Sequence, residues 1–268
     1  MQEHEAAQRS GVESVRRATR LLRCFTIEQP EWGVMDLSRK LGVHKSTVSR
    51  LLSTLENERL VMRNPETGRY HLGVGILELA GLVTLHGDLR RSARPYLDEL
   101  ARLTQETANL AVREGDHVVN IEHTAPLDRR VLNFGWVGRR TPVHASATGK
   151  VLLAYAPLRE LENLLTQPLD RFTEHTITDH EALLQELERV RQRGYATGLE
   201  ELEVGLHAVA APVRAHDGEV VAAVSTAGPS NRLTRRRIKK EVANQVLAVG
   251  EEISRMMGFI KPKAERRA

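Results

Sequence analysis

The sequence predicts an α+β chain in two parts: an N-terminal winged helix-turn-helix domain and, past a linker helix, a larger domain of helices around a mainly antiparallel sheet. Three observations predict it. Residues 14–72 hold three amphipathic stripes at helical spacing, followed by two short apolar runs around a Pro/Gly turn. After Gln105 the period changes, and short strand-like runs lie between flanking helices. The 268 residues also exceed the usual extent of one hydrophobic core.

In order, residues 1–11 are polar and read as a disordered arm. From Ser14, the apolar Val15, Ala18, Leu21, Leu22 and Phe25 define a first helix of a domain assigned to residues 12–73. Cys24 sits beside that stripe as a small packing residue. The turn-prone Gln29-Pro30-Glu31-Trp32-Gly33 precedes a short helix over Met35–Leu41, ended by Gly42. A longer helix follows from His44 to Asn57, with Val48, Leu51, Leu52 and Leu55 on one face. Leu60–Arg63 and Arg69–Leu72 read as strands joined by Asn64-Pro65-Glu66-Thr67-Gly68, which completes the order of a winged helix-turn-helix. Leu72–His86 is apolar on several sides; it reads as the linker helix, assigned to 74–87, and needs cover from another domain or another copy.

The second domain, 88–260, opens with a helix over Leu89–Gln105 whose buried candidates include Leu97, Leu100, Ala101 and Leu103. Strands are expected at Ala108–Arg113, His117–His123, Val131–Phe134, Ala208–Arg214 and Val220–Ala227. Helices fit Gly149–Ala156, Leu158–Leu165, Asp179–Arg193 and Thr234–Met257, the last with Ile238, Val242, Val246 and Val249 inward. The basic run Arg235-Arg236-Arg237-Ile238-Lys239-Lys240 then reads as its exposed face, and 261–268 as a basic tail.

Composition narrows the function classes. With 41% hydrophobic and 28% charged residues the chain is neither collagen-like nor wholly disordered. A single cysteine excludes an internal disulfide and a zinc ribbon, so a reducing, cytoplasmic home is expected. The start has no apolar stretch of signal-peptide length, and the run Gly73–Leu85 is interrupted by Glu78, so neither export nor membrane insertion is expected. The net charge of +4 is concentrated: between Ser14 and Leu72, eleven Lys and Arg face six Asp and Glu. A polyanionic partner fits that distribution.

The stretch Leu37 to Leu52 carries the sharpest signal. Ser38 is small enough for two helices to cross closely, and Gly42 takes a turn conformation costly for residues with a Cβ. The second helix then presents Lys45, Ser46, Thr47, Ser49 and Arg50, hydroxyls and cations near its N-terminal end, as a helix lying in a major groove requires. Enzymatic constellations are thin by contrast. Gly149-Lys150 lacks the rest of a phosphate loop, since His144 and Val151 stand where a glycine and a Ser or Thr are required. The pairs His175/His180 and His117/His123 lack metalloprotease spacing, and Cys24 has no local His partner. Glu200, Glu201 and Glu203 read as a solvated loop or a pocket rim. No enzyme, cofactor or metal is expected, a hydrolase of small acids being the weak alternative.

Over residues 12–258 the chain resembles the IclR family of bacterial transcriptional regulators. The resemblance rests on Ser14-Val15-Arg16-Arg17-Ala18, Leu37–Leu55, Gly68-Arg69-Tyr70-His71-Leu72-Gly73, Ala93-Arg94-Pro95-Tyr96-Leu97, Val137-Gly138-Arg139-Arg140-Thr141-Pro142, Ala147-Thr148-Gly149-Lys150, Arg193-Gly194-Tyr195 and Ala210-Ala211-Pro212-Val213. It implies a winged helix-turn-helix domain, a linker helix and a GAF-like α/β effector-binding domain. It further implies repression or activation at a palindromic promoter operator in double-stranded DNA, and a homodimer or homotetramer. Carried over residue by residue, it makes Lys45, Ser46, Thr47, Ser49 and Arg50 DNA contacts, Arg50 foremost, with Arg69 on the wing as a phosphate or minor-groove candidate. It places a small-molecule effector between the sheet and the helix start at Ala147, Thr148 and Gly149, with Gly198, Ala208, Ser225 and Ala227 around it. The family frequently has Asp, Cys and Ser where Gly198, Ala208 and Ala227 stand, so a larger, more apolar pocket is expected here, suited to an aromatic or longer-chain carboxylate. A DNA-binding oligomeric scaffold without a ligand is the competing reading, separable by whether a metabolite raises the melting temperature.

Overall fold

A computed structural model describes residues 12–26, 29–81, 87–126 and 137–260. The chain divides into two compact units, Met1–Leu85 and His86–Ala268.

The N-terminal unit contains α1 (Glu13–Leu22), α2 (Val34–Leu41), α3 (Lys45–Asn57), the strands β1 (Val61–Arg63) and β2 (Tyr70–Leu72), and α4 (Gly75–Gly81). Its core is Leu21, Leu37, Val48, Leu52, Leu55 and Val61, residues that recur on one face of each helix and lose nearly all contact with water. The expected stripe of α1 is shorter than its spacing suggests. Val15 stays 62% exposed and the helix ends at Leu22, while Ala18, Leu22 and Phe25 pack against the core from the expected face. Gly42 ends α2 with φ +65°, and the Ser38 hydroxyl donates to Val43 O at 2.6 Å, so Ser38 closes the turn as well as letting the helices approach. An added Cβ at Gly42 would meet nothing within 4 Å. Gly42→Ala is therefore expected to cost only the left-handed backbone term, about 1–2 kcal/mol, read as a lower urea midpoint with unchanged slope.

The wing pairs Val61 with Leu72 and Arg63 with Tyr70. The Asn64 side chain accepts from Glu66 N and Thr67 N to shape its turn. Trp32, placed in a turn by the sequence reading, forms a bridge with Tyr70, and its indole donates to Cys24 O at 2.9 Å. Burial pushes the Cys24 thiol up, outweighing Lys40 and Arg20, as suits a packing residue. Of the expected linker helix, residues 82–86 lie outside the described residues.

The C-terminal unit has α5 (Gly87–Thr104), β3 (Thr107–Glu114), β4 (His117–Thr124), β5 (Arg140–Pro142), α6 (Ala147–Ala154), α7 (Leu158–Leu165), α8 (His180–Arg193), β6 (Ala196–Leu199), β7 (Leu206–Arg214) and β8 (Val220–Pro229). A last helix follows as α9 (Arg235–Arg237), a π turn (Ile238–Val242) and α10 (Ala243–Met256). Six strands form one antiparallel sheet in the order β5-β4-β3-β8-β7-β6. Alternation along each strand divides the core into two layers. Leu110, Val209, Val213 and Val224 meet Leu97 and Leu100 of α5 and Val246 and Ile253 of α10. Ala111, Ala210 and Ala223 face the other way, toward Val151 and Leu153 of α6 and Leu183, Leu187 and Val190 of α8.

Several expectations are corrected here. Leu103 is 38% exposed; the buried stripe of α5 continues instead through Thr104, whose hydroxyl donates to Leu100 O and meets Thr226. The edge strands β5 and β6 were not foreseen, being three and four residues long. α6 starts at Ala147 rather than Gly149 because Ser146 caps it, accepting from Gly149 N at 3.2 Å. The strand expected at Val131–Phe134 lies outside the described residues.

Candidate nucleic-acid interface and ligand cavity

The N-terminal end of α3 is shaped by a residue that the sequence reading left out of the site. His44 is the N-cap: its Nδ1 accepts from Ser46 N and lies 2.8 Å from the Ser46 hydroxyl. With Val48, Leu52 and Leu55 anchored in the core, Lys45, Ser46, Ser49 and Arg50 are exposed and Thr47 is half-buried. The side chains of Lys45 and Arg50 make no hydrogen bond or ion pair among the described residues, so both cations are free to meet an anionic ligand. Arg69 differs. Its Nη2 lies 2.9 Å from Asp36 Oδ2, and Arg39 holds the other oxygen at 2.6 Å, so Arg69 clamps the wing to α2. Reaching a phosphate would require it to leave that carboxylate.

In the C-terminal unit, the sheet and the start of α6 line a half-open cavity of about 60 Å³. The strand register explains which residues meet there. Gly198, Ala208 and Ala227 stand opposite one another across β6, β7 and β8, and Ser225 stands opposite Asn109 across β8 and β3. Ala147 and Thr148 close it from the helix. Six of the seven expected effector residues therefore line one space. Gly149 does not; an added Cβ there would lie 2.2 Å from Val143 O, so this glycine lets α6 pack on the chain before it.

The expected enlargement is not seen, since the space measures about 60 Å³. The position of a Cβ on Gly198 lies 3.4 Å from Ala147 N, so the helix start packs close against this row of small residues. Asn109, Asn120 and Arg139, which sequence reasoning missed, also line it. Asn109 is 4% exposed and its Oδ1 has no hydrogen-bond partner among the described residues, an orphaned acceptor beside an empty space. Ala147 and Thr148, in the first turn of α6, have N–H groups with no acceptor within the helix. Donors, a helix dipole and an acceptor thus converge on one small volume.

Behind it lies a buried ion pair. Lys150 is 1% exposed and its Nζ contacts both carboxylate oxygens of Glu201 at 2.7 Å. Glu186 stands 3.9 Å away and is held by Arg189 and Arg193. Glu201 is therefore a buried residue of the cavity wall, in line with the pocket-rim alternative and not with a solvated loop, and Thr173 and Thr176 fix its segment by donating to the carbonyls of Glu200 and Glu201. The signal available in the sequence was Lys150 itself, a lone cation in the apolar helix ATGKVLLA. Glu203 pairs with Arg139, and the Glu200 carboxylate accepts from Gly205 N at 2.7 Å, which lowers its pKa. Among the described residues no cluster of side chains suits a metal ion, and no helix is long and apolar enough to cross a membrane.

Residues 14–65 match the IclR helix-turn-helix domain, and residues 82–255 match the bacterial transcriptional regulator IclR C-terminal domain. The chain belongs to the IclR family. The HTH-type transcriptional regulator XynR of Escherichia coli is 36% identical over 255 residues, covering 92% of this chain and 98% of its own. The HTH-type transcriptional repressor AllR of Salmonella typhi is 32% identical over 261 residues, covering 97% and 95%. An IclR homologue from Microbacterium hydrocarbonoxydans, solved in complex with 4-hydroxybenzoate, superposes with a TM-score of 0.79 at 27% identity, covering 91% and 99%. As an IclR-family protein the chain is a DNA-binding transcriptional regulator and not an enzyme.

Proposed function

We propose that this regulator binds a palindromic promoter operator as a homodimer or tetramer, and that a small carboxylate seated in the cavity at the start of α6 controls that binding. The convergence of Thr148, Ser225 and the orphaned Asn109 on that cavity carries the reading. A carboxylate would take the free N–H groups of the first turn of α6, and a hydroxyl on the same molecule would satisfy Asn109 Oδ1. Lys45, Ser46, Thr47, Ser49 and Arg50 are the base and phosphate contacts, with Arg69 held in reserve by Asp36. Its place of work is the cytoplasm, in keeping with one half-buried thiol.

A second reading, an aromatic effector, is favoured by the 4-hydroxybenzoate in the structural relative. The cavity of about 60 Å³ argues for the smaller acid, since a site that accepts benzene offers about 150 Å³. Thermal unfolding with glycolate, acetate and 4-hydroxybenzoate separates them: glycolate is expected to raise Tm most, acetate less and 4-hydroxybenzoate least. A shift with 4-hydroxybenzoate alone would install the aromatic reading, and no shift with any small acid would favour the scaffold. Operator binding is tested by retaining fragmented genomic DNA on the protein and sequencing what is held. A few promoter fragments sharing a palindrome are expected; uniform retention would overturn the reading.

Self-association is supported by Val74, Leu77 and Leu79, which leave 53%, 73% and 57% of their surface exposed around α4. Leu77→Asp is expected to shift sedimentation toward the monomer and to weaken operator binding at least about ten-fold, because a two-fold dimer engages both half-sites. Unchanged sedimentation would place the interface elsewhere.

A further inference from the structure

A second space in the C-terminal unit shares no lining residue with the effector cavity. It lies past the opposite end of α6, where Tyr155, the end of β7 and the last helix meet, and measures about 670 Å³. That is within the range of small-molecule sites. We propose that it binds an amphipathic organic anion, one carboxylate, sulfonate or phosphate head on an apolar body.

Two guanidinium groups carry the argument. Arg214 lies over the Tyr155 ring at 4.6 Å, with the Phe259 ring at 5.9 Å, and its Nη1 donates to Gly218 O at 2.8 Å. Two rings and a carbonyl hold this cation in place, yet no carboxylate among the described residues pairs with it. Arg255, exposed on α10, makes no side-chain hydrogen bond or ion pair among the described residues. The other wall arginines are occupied: Arg191 donates to Ala154 O and pairs with Glu188, and Arg193 pairs with Glu186. Glu251 is the one acid among the described wall residues, so the groove keeps a positive surplus over a floor of Leu247, Pro212 and ring edges. Guanidinium on aromatic faces recognises planar anions well.

The test is a fluorescence titration of the full chain with 1-anilinonaphthalene-8-sulfonate. Saturable binding at one site per chain is expected, weakened roughly ten-fold or more by Arg255→Glu and by Arg214→Gln, the loss of one charge-assisted contact. Ser225→Ala, in the other cavity, should leave it unchanged. Arg255 is exposed and unbonded, so its variant tests the site without touching the fold. Non-saturable binding, or affinity that survives both arginine variants, overturns the proposal. So does an Arg255→Glu variant that alters sedimentation while dye affinity holds, which would make the groove an interface between copies.

Discussion

Replacing Arg50 by alanine is expected to lower discrimination between operator and unrelated DNA by about 1–3 kcal/mol per half-site, a factor of roughly 5 to 150. The side chain projects from α3 with no partner among the described residues, so removing it disturbs nothing in the fold. Fluorescence anisotropy with the palindrome and a scrambled duplex, at several salt concentrations, reads the effect. If both duplexes weaken equally and the salt slope shrinks by about one, Arg50 holds a phosphate rather than a base. Equal binding by wild type and variant would remove α3 as the reading helix.

Glu201→Leu should be the most damaging single change in the C-terminal unit. It leaves the Lys150 ammonium 1% exposed, with Glu186 at 3.9 Å as the remaining anion. Stranding a buried charge costs about 3–5 kcal/mol, which corresponds to a fall in Tm of order 10 °C for a domain of this size. The double variant Lys150→Met with Glu201→Leu should recover most of the loss, because two apolar side chains of similar volume need no mutual charge. If the single variant melts with wild type, the pair contributes little to stability. If the double variant stays as unstable as the single one, the damage comes from packing around Glu201 instead.

The helices were legible because each buries a stripe recurring at helical spacing. Leu37, Val48, Leu52 and Leu55 announce the core of the N-terminal unit before any coordinates. Gly42 was legible for a local reason, since the turn between α2 and α3 needs a positive φ. What escaped depends on distant partners or on elements too short to show a period. β5 and β6 have three and four residues, and Trp32 joins the wing through Tyr70, thirty-eight positions on. Lys150 and Glu201 are fifty-one residues apart, so the apolar helix around Lys150 hinted at its burial but not at its partner. The candidate effector cavity was reached by resemblance, which named its small residues. It did not name Asn109 or Arg139, whose contribution is set by strand register and by the segment before β5.

The row Gly198, Ala208, Ala227 makes ligand choice unusually easy to rewrite. All three side chains stop at or before Cβ, and each stands on a strand held by its neighbours, so the sheet does not depend on what they carry. An alanine at 198 would sit in ordinary contact, 3.4 Å from Ala147 N. A single added methyl there trims the space available to an effector while the winged domain, made from a separate stretch of chain, is untouched. On the proposed reading, one scaffold could thus acquire a different chemical trigger without changing the promoter it serves, through substitutions a few atoms in size.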